Sequence, residues 1–569
     1  MRVIPGAWPR PSAWVLASCA LGLLWAWRSV GAALGDASVI QDDARQHVFW
    51  MLRFLDPELF EHDPVADYFQ SLAPPAYYVL YWVLSLFLDP RDASKWVPLA
   101  LTVLLSASTF GLIKRLSRAS AGAFAASVLL TWYVWQHDDL ASASPRAFML
   151  PLLTLVLWCH ARGSVWWTAG VAALGAALYP TTGAVAVAVV GMGTLRSWWH
   201  AMGDWRGAMS RLAPVVVAVG IVLVPAQLDA SPWGPLVTNA QARTMPEFGP
   251  GGRNAFYSPD PVQFWLRSYR SGLDLRVSDA RWPAVPLLAE LGALALAFFA
   301  WRMTSRPAGQ AGYAVLLDVA VASALLFLAA HALLFRLYLP SRFVQWTLPL
   351  VLSALAGVGL VGLLSALARR VVGGRAEALA ACVLVTALAL CPARFDGNLV
   401  RDAHPDVTDY LAALPPSVVV VGVPIDADSV PSFAARSVLM SREYALAYHV
   451  GYHQIARQRM ADLVEAYYAD SIAKVLDFAA RHRVDVFLVN RAAFEASTVV
   501  DAWAGEFEPY TGQAVSRVRR GSRFALLELA RRCAAVDDGH VVVVQTACIR
   551  AVAGSAEAAP TGIREARGG

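Results

Sequence analysis

The sequence predicts a multi-pass α-helical membrane module over residues 1–393, followed by an external α/β domain over residues 394–569. Three observations carry this. Hydrophobic residues make up 57% of the chain and charged ones 16%, where a soluble domain carries about 25% charge. Mean hydropathy is +0.47, and eleven apolar runs approach the ~20 residues that a helix needs to cross hydrocarbon. Beyond residue 393 the apolar runs shorten, and β-branched stretches of strand length replace them.

The apolar runs are 13–34, 96–113, 120–136, 147–161, 165–178, 181–195, 212–228, 284–301, 313–335, 343–367 and 376–392. Basic residues orient them, because cytoplasmic loops are enriched in Lys and Arg. Arg2 and Arg10 precede the first run, which reads as a retained signal anchor. Ala76 to Leu88 covers only ~20 Å at helical rise. Kept on the membrane surface, it leaves Lys114, Arg115 and Arg118 inside. Val165 to Leu195 is too long for one span and is broken at Tyr179-Pro180-Thr181-Thr182-Gly183. A tight hairpin there puts Arg196, Arg206 and Arg211 inside. Arg162, Arg302, Arg306, Arg369, Arg370 and Arg375 then fall on the same side. Eleven spans starting inside leave the tail after Ala393 outside. The external loops become 35–95, 137–146, 229–283 and 336–342.

In the tail, Val418–Val423, Val484–Val489 and Phe524–Leu529 read as strands, and Tyr452 to His482 has helical spacing. It contains no Gly-rich phosphate loop, nucleophile elbow or metal-ligand spacing. Cys533 and Cys548 are close enough to close a short disulfide loop in an oxidising compartment. Cys19, Cys159, Cys382 and Cys391 lie in or beside apolar spans, where Cys is an inert hydrophobe. The net charge of +5 is spread in short bursts, which speak for topology and against a nucleic-acid surface.

The chemistry is expected at the outer membrane face. Gln41-Asp42-Asp43-Ala44-Arg45-Gln46 follows directly on the first span. A carboxylate near hydrocarbon is costly unless paired, so this pair points to acid–base or metal work. The plain alternative is a solvated helix start favoured by the helix dipole. His137-Asp138-Asp139 lies in the next external loop, and the two sets together can supply a general base and orient or chelate a phosphate-bound metal. Paired carboxylates favour hard cations, so a divalent metal on Asp42 and Asp139 stays open. Arg146, Arg336 and Arg342 stand at external helix mouths, where arginine should be depleted. They read as phosphate ligands or as snorkelling side chains. Arg28 reads as snorkelling and Asp318 as structural, whereas Glu290 near the outer end of its span can line the same cleft. The loop 229–283, rich in Arg and aromatics, reads as a lid, or through Phe264-Trp265-Leu266 as an interfacial anchor.

These residues resemble those of the polyprenyl-linked membrane glycosyltransferases of the GT-C fold, which include oligosaccharyltransferase catalytic subunits and protein O-mannosyltransferases. Gln41-Asp42-Asp43-Ala44-Arg45 stands where that family has its acidic motif, in a large first external loop. Pro74-Pro75-Ala76-Tyr77-Tyr78 resembles the opening of its juxtamembrane helices, and Asp138-Asp139 its second acidic site. The resemblance covers residues 1–200 well and the rest in outline, and fits a bacterial branch apart from the better-known subfamilies. No Trp-Trp-Asp acceptor-sequon motif is present. The resemblance implies inverting transfer of a sugar from a polyprenyl-phosphate donor to an external cell-envelope acceptor, at the inner membrane. Asp42 is then the base with Asp43 assisting. Arg45, Asp138 and Asp139 join the substrate site, and Arg146, Arg336 or Arg342 neutralises the leaving phosphate. The competing classes are a lipid or polysaccharide transporter or flippase, and a non-catalytic envelope assembly protein.

Overall fold

The computed structural model describes residues 11–200, 204–228, 231–274, 307–372, 376–391, 395, 397–499, 503 and 507–557. The expected span 284–301, with Glu290, and Arg302, Arg306 and Arg375 lie outside the described residues. The chain divides into two compact units. One comprises Met1–His47, Leu72–Ser231 and Phe256–Val400, the other Val48–Ser71, Pro232–Ala255 and Arg401–Gly569. The second unit thus takes in two segments that the sequence reading assigned to external loops.

In the first unit, α1 (Pro11–Val30) is followed by the short α2 (Asp42–Val48). The next helix, α3 (Pro64–Leu72), belongs to the second unit but for its last residue, and the first unit resumes with α4 (Pro75–Ser85), whose 11 residues span only ~16 Å. Then follow α5 (Pro90–Ser117), α6 (Ser120–Val134), α7 (Met149–Ala161), α8 (Val165–Leu178), α9 (Pro180–His200) and α10 (Trp205–Leu228). Tyr179 is extended between α8 and α9, with φ −155° and ψ 108°. Further helices are Pro307–Ala332, Thr347–Val372 and Ala376–Leu390. Among the described residues, five helical stretches are long and apolar enough to cross a membrane: Pro11–Ala33, Pro90–Ser117, Trp205–Pro225, Tyr313–Ala332 and Pro340–Ala368. Their apolar side chains also face outward, as with Leu16, Ile221 and Leu328. A helix apolar all round is suited to lipid.

Small residues and hydroxyls hold these helices together. A Cβ on Gly357 would lie 2.4 Å from the Ala126 backbone nitrogen, so only glycine lets Thr347–Val372 approach α6 this closely. Ser127 donates to the Ser106 carbonyl at 2.9 Å, and Ser108 shares a 2.6 Å hydrogen bond with Thr154. Arg196 on α9 pairs with Asp318, which gives Asp318 the structural role expected of it.

The second unit contains a five-stranded sheet in the order Ser437–Val438, Val419–Val421, Val486–Asn490, Val541–Gln545, Ala534–Asp537. The first three strands are parallel, and Val541–Gln545 runs antiparallel to both of its neighbours, with Val420 opposite Val486 and Leu488 opposite Val543. The helical stretch expected over Tyr452–His482 is two helices, Val450–Tyr467 and Ile472–His482. The strand expected over Phe524–Leu529 is a helix, Ala525–Arg532. Ala525, Leu526, Leu529 and Ala530 are buried while Arg531 and Arg532 stay out, a 3.6-residue period that outweighs the short apolar run. Cys533 and Cys548 are joined by a disulfide, with Cα atoms 5.8 Å apart. Tyr68 stacks on Tyr452 at 3.6 Å, and Glu247 receives His453 at 3.0 Å and Arg457 at 2.7 Å. These contacts tie Val48–Ser71 and Pro232–Ala255 into this unit.

One cluster here predicts a pH dependence. The Asp426 carboxylate, 3.7 Å from Nε2 of His404, and Asp538, 2.5 Å from Nδ1, raise the imidazole to about 9 against the opposing effect of burial. A folded-state pKa above the unfolded one stabilises fully below the unfolded value of about 6.5. That stabilisation is lost as pH rises through the folded value. The full chain in detergent should therefore lose on the order of 2 kcal/mol between about pH 6.5 and about pH 9. His404→Gln should flatten that stretch of the thermal-melting profile. An unchanged profile in the variant would show that the imidazolium contributes nothing.

Candidate functional site

The first unit gathers acidic residues from two loops at one end of its helices. Gln41 accepts from the backbone N–H of Ala44 at 3.0 Å and so caps α2, while the Asp42 N–H donates to the Asn398 carbonyl at 3.0 Å. Upstream, buried Lys95 donates to the Asp36 carbonyl at 2.9 Å and pairs with Asp92 at 3.0 Å, which fixes the chain leaving α1 on the start of α5.

The second loop is built by short-range bonds. Ser142 donates from its backbone to the Asp138 carbonyl at 2.8 Å and from its hydroxyl to the Asp139 carbonyl at 2.7 Å. Ala143 sits at φ +47°, a left-handed conformation that costs a non-glycine residue ~1–2 kcal/mol. Both Tyr77 and Tyr81 donate to its carbonyl, at 3.2 and 3.1 Å. The short helix α4 therefore has a defined task, since its buried tyrosines hold the loop that carries Asp138, Asp139 and Arg146.

Arg146 is the centre of this arrangement. Its Nη2 bonds Asp43 and lies 3.3 Å from Asp138, and its Nη1 lies 3.7 Å from Asp139. Asp42 is turned the other way, onto Arg45 at 2.6 Å. The Asn398 amide lies 3.5 Å from Asp42 and 3.4 Å from Asp138. Four carboxylates thus face two guanidiniums.

A third arginine stands one residue away. Gln345 donates to Asp139 at 3.4 Å and accepts from Arg342 Nη1 at 3.0 Å. Arg342 is 8% exposed and lies over the Trp346 ring at 5.6 Å. Among the described residues its guanidinium pairs with no carboxylate, and its Nε has no hydrogen-bond partner. A buried charge left this way is expensive unless an anion completes it. Arg336 is exposed and makes none of the contacts that join the cluster. In the 229–283 loop, Trp265 packs on His331 at 4.7 Å and on Phe327 at 6.4 Å, so this stretch rests on the helix Pro307–Ala332.

The donor set does not suit a divalent cation as it stands. Asp42 faces Arg45, and Asp139 faces Arg146 and Gln345. Among the described residues no three His, Cys, Asp or Glu side chains come together as ligands. A cation would first have to displace the Arg146 guanidinium.

Sequence reasoning named both acidic pairs, Arg45, Arg146 and Arg342, and the structure brings these together. It missed Gln345, Asn398, Lys95 and the tyrosine anchors. Those are ordinary residue types, and only their contacts single them out.

No protein-family model matches the chain, and no curated protein matches it. Among solved structures it is similar to the oligosaccharyltransferase of Archaeoglobus fulgidus tethered with an acceptor peptide containing the NVT sequon. Identity is 11%, the match covers 88% of this chain and 72% of that one, and the TM-score is 0.51. The apo form of that enzyme gives 10% identity, the same coverage and a TM-score of 0.49. The archaeal oligosaccharyltransferase AglB in complex with an inhibitory peptide and a dolichol-phosphate gives 12% identity, 88% and 72% coverage and a TM-score of 0.43. At such identities the likeness is one of fold alone: the chain is folded like the archaeal oligosaccharyltransferase.

Proposed function

We propose that this chain transfers a glycosyl group, with inversion, from a polyprenyl-phosphate donor to a cell-envelope acceptor. The site faces the external side of a bacterial cytoplasmic membrane. Residues 1–393 form the spanning module with eleven spans, and 394–569 a domain on that external side. The observation that carries the reading is the pairing of a carboxylate cluster with the buried, anion-ready Arg342, one glutamine apart. The fold shared with an oligosaccharyltransferase that was tethered to an acceptor peptide supports it.

In this reading Asp42 takes the proton from the acceptor hydroxyl as its oxygen bonds to the anomeric carbon. The bond between that carbon and the phosphate oxygen breaks, and polyprenyl phosphate leaves with the electron pair. Arg342 holds the charge that develops there. Asp43, Asp138 and Asp139 hold Arg146, which keeps the carboxylates apart and in position. No step passes through a metal.

The test is release of polyprenyl phosphate from a sugar-loaded carrier by the purified chain. Arg342→Ala removes charge-assisted hydrogen bonds worth ~1.5–3 kcal/mol, so KM for the donor should rise ~10–100-fold. Unchanged donor KM in this variant would remove Arg342 from the site. Movement of the intact sugar lipid across the bilayer without release would favour a flippase.

A further inference from the structure

The helix ends away from the acidic cluster form a second recess. The cluster lies past the end of α1 and before the start of α7. The recess is lined by Val15 near the start of α1, by the last turns of α5, and by Trp158 and Arg162 at the end of α7. The 13 residues of α7 put ~20 Å between the two places. The recess has a volume of about 640 Å³, within the range of small-molecule sites.

Its chemistry is divided. The walls are apolar, built from Ala107, Phe110 and the Trp158 indole. A Cβ on Gly111 would lie 2.5 Å from that indole, so the glycine lets Trp158 lie flat against α5 as the floor. The rim is cationic. Lys114 donates to Ser120 at 2.6 Å, and Arg115 to the Ala161 carbonyl at 3.2 Å. Arg162 lies over Trp158 at 5.4 Å. Among the described residues no carboxylate lines the recess, and none of the three cations forms an ion pair with one. The basic bias of cytoplasmic helix ends accounts for such residues singly. It does not account for three of them around one apolar groove.

We propose that this groove seats an anionic phospholipid of the surrounding membrane. The phosphate lies among Lys114, Arg115 and Arg162, and an acyl chain lies along Ala107, Phe110 and Trp158. Charge complementarity selects the headgroup. Two of the three helices forming the groove are long and apolar enough to cross a membrane, which makes a membrane lipid the occupant rather than a soluble phosphate.

The test measures retention of fluorescent phosphatidylglycerol and phosphatidylcholine, with the same acyl chains, by the full chain in detergent. Phosphatidylglycerol should be held in preference. Each cation near a phosphate contributes ~5-fold, so the triple variant Lys114→Ala, Arg115→Ala, Arg162→Ala should bind it ~100-fold more weakly. Ala107→Phe fills the groove without touching charge and should also lower retention. Equal retention of both lipids by the unaltered chain would overturn the proposal, and that comparison needs no variant. So would full retention by the triple variant. Unchanged retention in Ala107→Phe, or ready displacement by inorganic phosphate, would mark a headgroup site without an acyl seat and overturn it as well.

Discussion

Asp42→Asn should lower the rate of sugar transfer by ~10²–10⁴ while donor binding is retained. The substitution keeps shape and hydrogen bonding but removes the proton affinity that a general base needs. Asp42 is the carboxylate of the four that does not face Arg146, and its side chain is 30% exposed, so an acceptor can reach it. Asp43→Asn should act differently. Asp43 bonds Arg146, so its loss should loosen the cluster and lower stability together with rate. The measurement is transfer activity of both variants and the double variant in membranes at matched expression. A double variant that transfers sugar at the parental rate would place the chemistry elsewhere and leave the acidic pair as a helix start.

Arg146→Ala should abolish most activity and destabilise the first unit. It leaves Asp43, Asp138 and Asp139 facing one another without their common partner. Removing one member of a buried ion pair costs ~3–5 kcal/mol. Because the carboxylates here are 13–24% exposed, water screens part of this, and ~2–3 kcal/mol is expected. Arg146→Lys keeps the charge but loses the planar fork that meets several carboxylates at once, so it should recover only part of the loss. The same geometry predicts the response to metal. Chelator-treated membranes should keep the parental activity, since the guanidinium already sits among the carboxylates. Manganese should raise the melting temperature of Arg146→Ala and leave that of the parent unchanged. Loss of parental activity on chelation, restored by manganese, would show that the carboxylates reorganise around a cation.

Much of this site was visible in the sequence because its residues are costly where they stand. Aspartates and arginines beside hydrocarbon need a reason, and Asp42, Asp43, Asp138, Asp139, Arg146 and Arg342 attracted attention on that ground alone. Their division of labour was not visible. Arg146 was read as a phosphate ligand, yet its neighbours are three carboxylates, and the buried Arg342 without such a partner is the better candidate. Arg336 is of the same residue type in the same loop and is simply exposed. Nothing in composition separates these three arginines.

The same limit shows in the second unit. Val419–Val421 and Val486–Asn490 form strands where β-branched runs predict them, whereas Phe524–Leu529 does not. A short apolar run fits either element until its neighbours decide which face is buried. The sequence by itself determined the long apolar helices, the break at Tyr179-Pro180 and the loops that carry the acidic pairs. These follow from local hydrophobicity, charge and backbone restriction. Only the tertiary structure decided that α4 anchors the second acidic loop through Tyr77 and Tyr81, that Asn398 reaches back to Asp42, and that Gln345 links Asp139 to Arg342. Apart from the local Arg342–Gln345 contact, these pairings join residues 62 to 356 positions apart. They arise from packing of distant helices, which no local pattern encodes.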